Sequence, residues 1–313
     1  MAANPVTAIV GAGLVGSGWA LVFARAGCQV QIFDPDEATR SRLLPWVRQS
    51  ADELQTVGLI TEADAVVARI QLCDTLEEAL DGAAYVQESV FETVPTKTQA
   101  SLAIDAAMGP DTIVGSSSSG IPASHFTSDC RNRERFLIAH PVNPPHLVPV
   151  VELVPAPWTD ENAVTWTREL MDRVGQVPVQ VTREIDGFIL NRLQGALLNE
   201  AWALYDEGYA SLADIDATIS HGLGLRWSFM GPFETIDLNA PEGIADYSAR
   251  LGGMYHQMAM QRTARAWPEK TVERAQQERR QALAAADLAG RRAWRDAMLA
   301  RLAAFKKANG LGP

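Results

Sequence analysis

Cysteine is scarce in this chain of 313 residues, which has 3: Cys28, Cys73 and Cys130. They stand far apart and form no C-x-x-C pair. This excludes a disulfide framework and a cysteine-based structural metal site, and it suits a reducing compartment, with the cytoplasm expected. Positive charge is also short. With 27 Lys and Arg against 38 Asp and Glu, the formal net charge is -11, which opposes nucleic acid or an anionic membrane surface as a partner. A long apolar span is missing too. Residues 7–24 carry no charge, but Gly11, Gly13, Gly16 and Gly18 interrupt them and no Lys or Arg precedes them, so neither a membrane span nor a targeting segment is expected.

What is present is concentrated in residues 7–34. An apolar run, Thr7-Ala8-Ile9-Val10, leads into Gly11-Ala12-Gly13-Leu14-Val15-Gly16. A helical stretch follows, and a second apolar run, Val30-Gln31-Ile32-Phe33, ends at Asp34. Strand, glycine turn, helix and strand in this order suit a dinucleotide. Gly11 permits the tight turn, Gly13 lets the backbone approach a pyrophosphate, Gly16 lets helix pack on strand, and the helix N-terminus favours phosphate charge. Asp34 stands where a carboxylate accepts hydrogen bonds from an adenosine ribose. Pro35-Asp36-Glu37 supply no arginine for a 2′-phosphate, so NAD is expected over NADP.

A helical region is predicted over residues 38–80, broken near Gly58. Strands are predicted over 84–87, 112–115, 136–139 and 149–154, and helices over 97–108 and 160–174. The alternation predicts a parallel sheet with helices on both faces. From Asp186 helical periodicity takes over, in residues 188–207, 212–221, 243–260 and 270–307. The expected fold is an α/β Rossmann-like N-terminal domain, residues 1–184, followed by a mostly α-helical C-terminal domain, residues 185–313. Trp294, Met298, Leu302 and Phe305 recur at helical spacing and are expected in a core or a dimer interface.

Four polar positions stand where chemistry is feasible: Ser119 after a run of serines, His140 in Ala139-His140-Pro141-Val142-Asn143, Glu152 between valines and leucine, and Asn191 in Phe188-Ile189-Leu190-Asn191-Arg192. In an open parallel sheet, ligands bind beyond the carboxyl ends of the strands, where Ser119 and His140 are expected. A carboxylate among apolar strand residues must be paired or protonated. His140 is the candidate partner: a Glu accepting the Nδ1 proton fixes the tautomer and leaves Nε2 free to remove a hydroxyl proton. Residue type alone leaves open a simple buried ion pair, a helix cap at Ser119, and a backbone contact at Asn191.

These segments resemble the 3-hydroxyacyl-CoA dehydrogenase superfamily, and within it the lambda-crystallin or L-gulonate 3-dehydrogenase branch. The resemblance runs from Gly11 to about Phe305. It is carried by Ala139-His140-Pro141-Val142-Asn143-Pro144-Pro145, Gly187-Phe188-Ile189-Leu190-Asn191-Arg192-Leu193-Gln194, Glu200-Ala201-Trp202, and the segment Gly222-Leu223-Gly224-Leu225-Arg226-Trp227-Ser228-Phe229-Met230-Gly231-Pro232. It implies a catalytic His140–Glu152 pair with Ser119 and Asn191 on the substrate's reacting oxygen. It also implies NAD contacts at Gly11, Gly13, Leu14, Val15, Gly16, Asp34, Glu92, Lys97, Ser117 and Asn143, and a homodimer built through the helical domain.

A CoA tail wants lysine or arginine, yet residues 41–80 hold only Arg42, Arg48 and Arg69 against Asp52, Glu53, Glu62, Asp64, Asp74, Glu77 and Glu78, with no lysine. A free carboxylate instead needs one fixed cation, and Arg226 is the candidate, with pairing to Glu234 as its structural alternative. The expected activity is NAD-dependent oxidation of the 3-hydroxyl of a small free hydroxy acid, L-gulonate first. A 3-hydroxyacyl-CoA, a carnitine-like acid, or a crystallin-like NAD-binding scaffold without turnover are the alternatives.

Overall fold

The computed structural model describes residues 4–262 and 264–312. It divides into two units: the chain up to Leu193 together with the chain from Arg291 onward, and Gln194–Gly290 between them.

The first unit opens with β1 (Val6–Val10), α1 (Leu14–Arg25), β2 (Gln29–Phe33), α2 (Glu37–Thr56), α3 (Ala63–Val67), β3 (Ile70–Leu72) and α4 (Leu76–Leu80). It continues with β4 (Tyr85–Glu88), α5 (Val94–Ala107), β5 (Ile113–Ser116), β6 (Phe136–Pro141), β7 (Val150–Pro155), α6 (Glu161–Arg173) and β8 (Val177–Gln180). The strands form one sheet in the order β3-β2-β1-β4-β5-β6-β7-β8. It is parallel from β3 through β6. There the direction reverses, because β7 pairs antiparallel with β6 while β8 runs parallel to β7.

Side-chain alternation along β1 explains the two faces. Ile9 enters the larger apolar cluster, with Trp19 and Phe23 of α1 and Leu170 of α6, whereas Ala8 and Val10 enter a second cluster with Val86, Ile104 and Val114. The Rossmann-like sheet with helices on both faces is thus the one the alternation predicted, with three differences. The predicted helical region over 38–80 is interrupted by β3, whose three residues bury only Ile70. β8 falls in a stretch for which no element was predicted. The end of the sheet is antiparallel, since the short link between β6 and β7 allows a return but no crossover helix.

The last helix of the chain is α13 (Leu288–Ala308). From Arg291 its chain packs on the first unit, with Leu299 and Ala300 against Leu54 and Leu147. The expected stripe faces elsewhere: Trp294, Leu302 and Phe305 are exposed in the single chain, so it is not core of this chain.

The second unit is helical. It takes in most of α7 (Leu190–Asp206), then α8 (Leu212–Thr218), a π-helical turn (Ile219–Leu223), α9 (Gly224–Trp227), α10 (Pro232–Asp237), α11 (Ile244–Met260) and α12 (Glu269–Ala282). The predicted helix over 270–307 is therefore two helices. Little of this unit is buried: no described residue of α8 or α11 is, whereas Tyr205 is, under the Arg274 guanidinium. Leu225, Phe229, Phe233, Leu238, Met258 and Met260 are exposed. Arg262 forks between Glu200 and Glu207 and holds α7 to the end of α11. Among the described residues no helix is long and apolar enough to cross a membrane.

Candidate active site

The strand order places the topological switch at β1 and β4, and the loops beyond β1, β4, β5 and β6 leave the same edge of the sheet. Each glycine of the turn after β1 has its own reason. Gly11 has φ 100°, and a Cβ there would stand 2.6 Å from the Ser89 carbonyl oxygen. At Gly16 it would stand 1.9 Å from the Gly11 carbonyl oxygen. At Gly13 it would meet nothing within 4 Å, so that glycine borders open space. Helix α1 begins there with no side-chain cap and no acid in its first turn, and Gly13 and Leu14 are exposed while Val15 is half-buried. Free N–H groups at an uncapped helix start, beside open space, fit a pyrophosphate.

Asp34 follows β2. Its Oδ2 accepts from the Ala12 N–H at 2.8 Å and its Oδ1 from Asp36 N–H at 2.9 Å, so the carboxylate is fixed against the glycine turn. Arg40, one helical turn into α2, donates to the Asp34 carbonyl and lies 3.7 Å from Asp74. Residues 35–37 gave no sign of this cation, which the helix folds back from further along the chain.

His140 lies within β6, one residue before its end, and faces Glu152 directly across the antiparallel register. The imidazole Nδ1 and Glu152 Oε2 are 2.8 Å apart, with both side chains buried. The carboxylate acceptor puts the proton on Nδ1, and among the described residues Nε2 has no protein partner. Glu152 Oε1 accepts from Ile189 N–H at 2.8 Å and Leu190 N–H at 2.9 Å. Burial pushes the Glu152 carboxyl up, but the hydrogen bonds from His140, Leu190 and Ile189 outweigh it and hold the group below its ordinary 4.5. The carboxylate thus stays charged at neutral pH.

The two backbone donors come from a strained entry to α7. Gly187 has φ 75° and Phe188 φ 51°, and two successive left-handed residues turn the next N–H groups toward one oxygen. The Phe188 side chain is wholly buried, with its ring 5.6 Å from the imidazole, which makes it the wall of the dyad. Three residues on, the Asn191 amide donates to the Ser119 carbonyl. Ser119 itself is exposed beyond β5, its N–H donating to Glu92 Oε1 at 2.7 Å. His140, Glu152, Asn191 and Ser119 are therefore linked through the 187–191 segment.

The remaining expected residues sit in different surroundings. Ser117 is internal: its hydroxyl accepts from Trp19 Nε1 and Gln87 Nε2 and shares a hydrogen bond with Ser89. Lys97 is 1% exposed and pairs with Glu88 at 3.1 Å and Glu92 at 3.4 Å. Asn143 is exposed in the loop after β6. Arg226 belongs to the second unit, is exposed in α9, and has no carboxylate within 4 Å among the described residues, so the Glu234 pairing is absent. Its charge reaches Tyr247, whose hydroxyl lies 2.8 Å from that of Tyr255. Sequence reasoning missed Phe188 and Glu88: an aromatic before a helix and an acid ending a strand carry no local signal of strain or pairing.

A glycine turn on an uncapped helix, a carboxylate fixed against that turn and a Glu-oriented histidine on the same sheet edge define a nucleotide-dependent dehydrogenase. Residues 6–185 match the model of the 3-hydroxyacyl-CoA dehydrogenase NAD binding domain and 187–285 that of its C-terminal domain, so the chain belongs to the 3-hydroxyacyl-CoA dehydrogenase family. It is an NAD-binding oxidoreductase. A lambda-crystallin homolog of Bos taurus is 41% identical over 96% of this chain and 95% of the relative. An L-carnitine dehydrogenase of Streptomyces coelicolor is 37% identical over 75% of this chain and 74% of the relative. Among solved structures, 5-formyl-3-hydroxy-2-methylpyridine 4-carboxylic acid 5-dehydrogenase, an NAD+-dependent dismutase, matches with TM-score 0.73 at 27% identity, covering 89% of this chain and 96% of the other.

Proposed function

We propose that the protein oxidises the 3-hydroxyl of a small free hydroxy acid reversibly to the 3-keto acid, with L-gulonate first among substrates. The observation that carries this reading is the His140 imidazole, held at Nδ1 by a charged, backbone-anchored Glu152 and unpartnered at Nε2. His140 Nε2 takes the hydroxyl proton, and Glu152 stabilises the resulting imidazolium. NAD, when bound, supplies the hydride acceptor. Ser119 and Asn191 orient the reacting oxygen and polarise the carbonyl in the reverse direction.

Gly11, Gly13, Leu14, Val15, Gly16 and Asp34 hold the dinucleotide along the β1 turn, with Glu92, Lys97, Ser117 and Asn143 completing its nicotinamide side. Residues 1–184 are the cofactor domain and the chain from 185 supplies the substrate and dimerisation part, although its stretch from Arg291 belongs to the first unit. The exposed apolar side chains of the second unit support burial against a second copy. Three free, widely separated cysteines fit a cytoplasmic setting.

Arg226 anchors the substrate carboxylate. Its freedom from any described carboxylate and the lysine-free, acidic 41–80 segment both favour a free acid over a CoA ester. Kinship with an L-carnitine dehydrogenase makes a carnitine-like 3-hydroxy acid the second substrate reading, and kinship with lambda-crystallins raises a cofactor-binding scaffold without turnover. A panel of L-gulonate, L-carnitine, 3-hydroxybutyrate and 3-hydroxybutyryl-CoA, followed by NADH absorbance, separates these. Highest kcat/KM on L-gulonate is expected, and preference for the CoA ester overturns the substrate class.

A further inference from the structure

The segment that leads into α7 holds a residue in a conformation its type avoids. Phe188 has φ 51°, the one positive φ outside glycine among the described residues, and Gly187 before it has φ 75°. A bulky side chain at positive φ is a strained choice, and glycine would take the same turn freely. Something must therefore hold the phenylalanine there. At Gly187 an added Cβ would meet Asn191 Cβ at 3.6 Å and Arg192 Cγ at 3.8 Å, which are ordinary contacts, so only the backbone angle calls for glycine.

The ring supplies the hold. It is 0% exposed and shares an apolar cluster with Phe126, Ile138, Val154 and Val181, and burial of an aromatic on this scale offsets a strained φ. The Phe188 N–H donates to the Ile185 carbonyl at 3.1 Å and closes the turn. What the turn delivers is a row of donors. The N–H groups of Ile189 and Leu190, at a helix start where no helical acceptor exists, reach Glu152 Oε1 at 2.8 and 2.9 Å, and the Asn191 amide reaches the Ser119 carbonyl.

We propose that Phe188, with Gly187, is a positioning residue of this site: its locked ring holds a left-handed turn that aims two backbone N–H groups at Glu152 and the Asn191 amide at Ser119. It acts through those residues and not by touching substrate. The inference deepens the dehydrogenase reading and rests on it for the effect on turnover, and on the turn alone for the effect on the dyad.

The direction of that effect follows from charge. Backbone donors favour the ionised carboxylate, so loosening them raises the proton affinity of the His140–Glu152 pair as a unit. A pair that keeps its proton to higher pH is a poorer base. His140 and Glu152 are the only titratable side chains of β6 and β7, and β5, β8 and residues 187–191 carry none. His125, in the short turn after β5, is exposed, and α6 packs on the other face, against Val151 and Leu153. Bordering the apolar cluster are Lys97, 5.8 Å from the Phe126 ring, and Glu184, which accepts from the Ser124 N–H; neither contacts the dyad among the described residues.

The test compares Phe188→Gly, Phe188→Leu, Gly187→Ala and the control Val181→Ala in the full chain. Titration of the dyad is followed by NMR of the imidazole, together with amide hydrogen exchange at residues 189 and 190. In Phe188→Gly and Gly187→Ala the titration moves up by about one pH unit and exchange rises about tenfold or more. The acid limb of kcat/KM moves up with it, and kcat at neutral pH falls roughly tenfold while NAD Kd stays within about threefold. Phe188→Leu keeps part of the ring's volume and shifts less. Val181→Ala thins the same cluster and lowers Tm but leaves the titration in place. Because Gly187→Ala spares the cluster, it decides the matter even where Phe188→Gly fails to fold.

An unmoved titration in Gly187→Ala overturns the inference, and so does a shift in Val181→Ala as large as that in Phe188→Gly. Titration and exchange are read without substrate, so absence of turnover in the wild-type protein would overturn the dehydrogenase reading and leave the turn to be judged at the dyad.

Discussion

Glu152 and Arg226 are charged groups in opposite surroundings. Glu152 is buried in the antiparallel end of the sheet with every strong contact supplied by the protein: an imidazole on one oxygen and two backbone N–H groups on the other. Arg226 lies exposed on a four-residue helix of the other unit without a carboxylate partner among the described residues. A group whose charge and direction are fixed before any ligand arrives is suited to chemistry, because nothing reorganises when charge develops. A group left to water is suited to recognition, because its partner comes with the ligand.

The largest effect expected from this contrast is at the dyad. Glu152→Gln keeps an acceptor for Ile189 and Leu190 but removes the charge that stabilises the imidazolium, so kcat falls by roughly a hundredfold to a thousandfold. Steady-state turnover checks it, and wild-type kcat would leave Glu152 a structural residue only. Glu152 also enters stability. Its carboxyl is depressed in the fold, so its contribution is present above the ordinary value of 4.5 and is lost as pH falls below it through the folded value.

His146 sharpens the buried half of the comparison. Burial, aided by the Arg25 charge, pushes its imidazole from 6.5 down to about 4. The fold holds it neutral while the unfolded chain takes up a proton below 6.5, so the contribution is full above pH 6.5 and is lost between 6.5 and 4. The loss amounts to about 3 kcal/mol at most. Urea midpoints of wild type and His146→Gln at pH 7.5 and 4.5 give it by difference; parallel curves would remove the effect.

For the exposed half, Arg226→Ala raises KM for a hydroxy acid by roughly thirtyfold to a hundredfold, the size of a charge-assisted hydrogen bond, with kcat little changed. Arg226→Lys recovers part of it, since an ammonium lacks the fork. An unchanged KM would place the anchor elsewhere. The smallest effect concerns the cofactor. NADP should be used about tenfold to a hundredfold less efficiently than NAD, because its 2′-phosphate meets the fixed Asp34 while Arg40 is shared with Asp74. Equal kcat/KM for both cofactors would contradict it.

The groups with local signatures were legible in the sequence. A glycine turn writes its backbone needs into three residues, and a glutamate among valines announces that it requires a partner. Its pairing with His140 was readable only as a candidate, because register between β6 and β7 is a property of the folded sheet. β3 escaped notice because three residues in a polar stretch make no period. Trp294, Leu302 and Phe305 recur at helical spacing, but which side of α13 faces Leu54 and Leu147 depends on partners far away along the chain. The Glu88–Lys97–Glu92 cluster has the same origin, since strand, loop and helix each contribute one ordinary charge.

The most direct test of the dyad is His140→Ala, with NAD affinity measured by titration calorimetry alongside single-turnover hydride transfer on the best hydroxy acid of the panel. The β1 turn proposed to hold the dinucleotide is separate from His140, so Kd for NAD should stay within about threefold while the hydride-transfer rate falls by roughly a hundredfold or more. A variant that binds NAD normally and transfers hydride at the wild-type rate would contradict the assignment of His140 as the base.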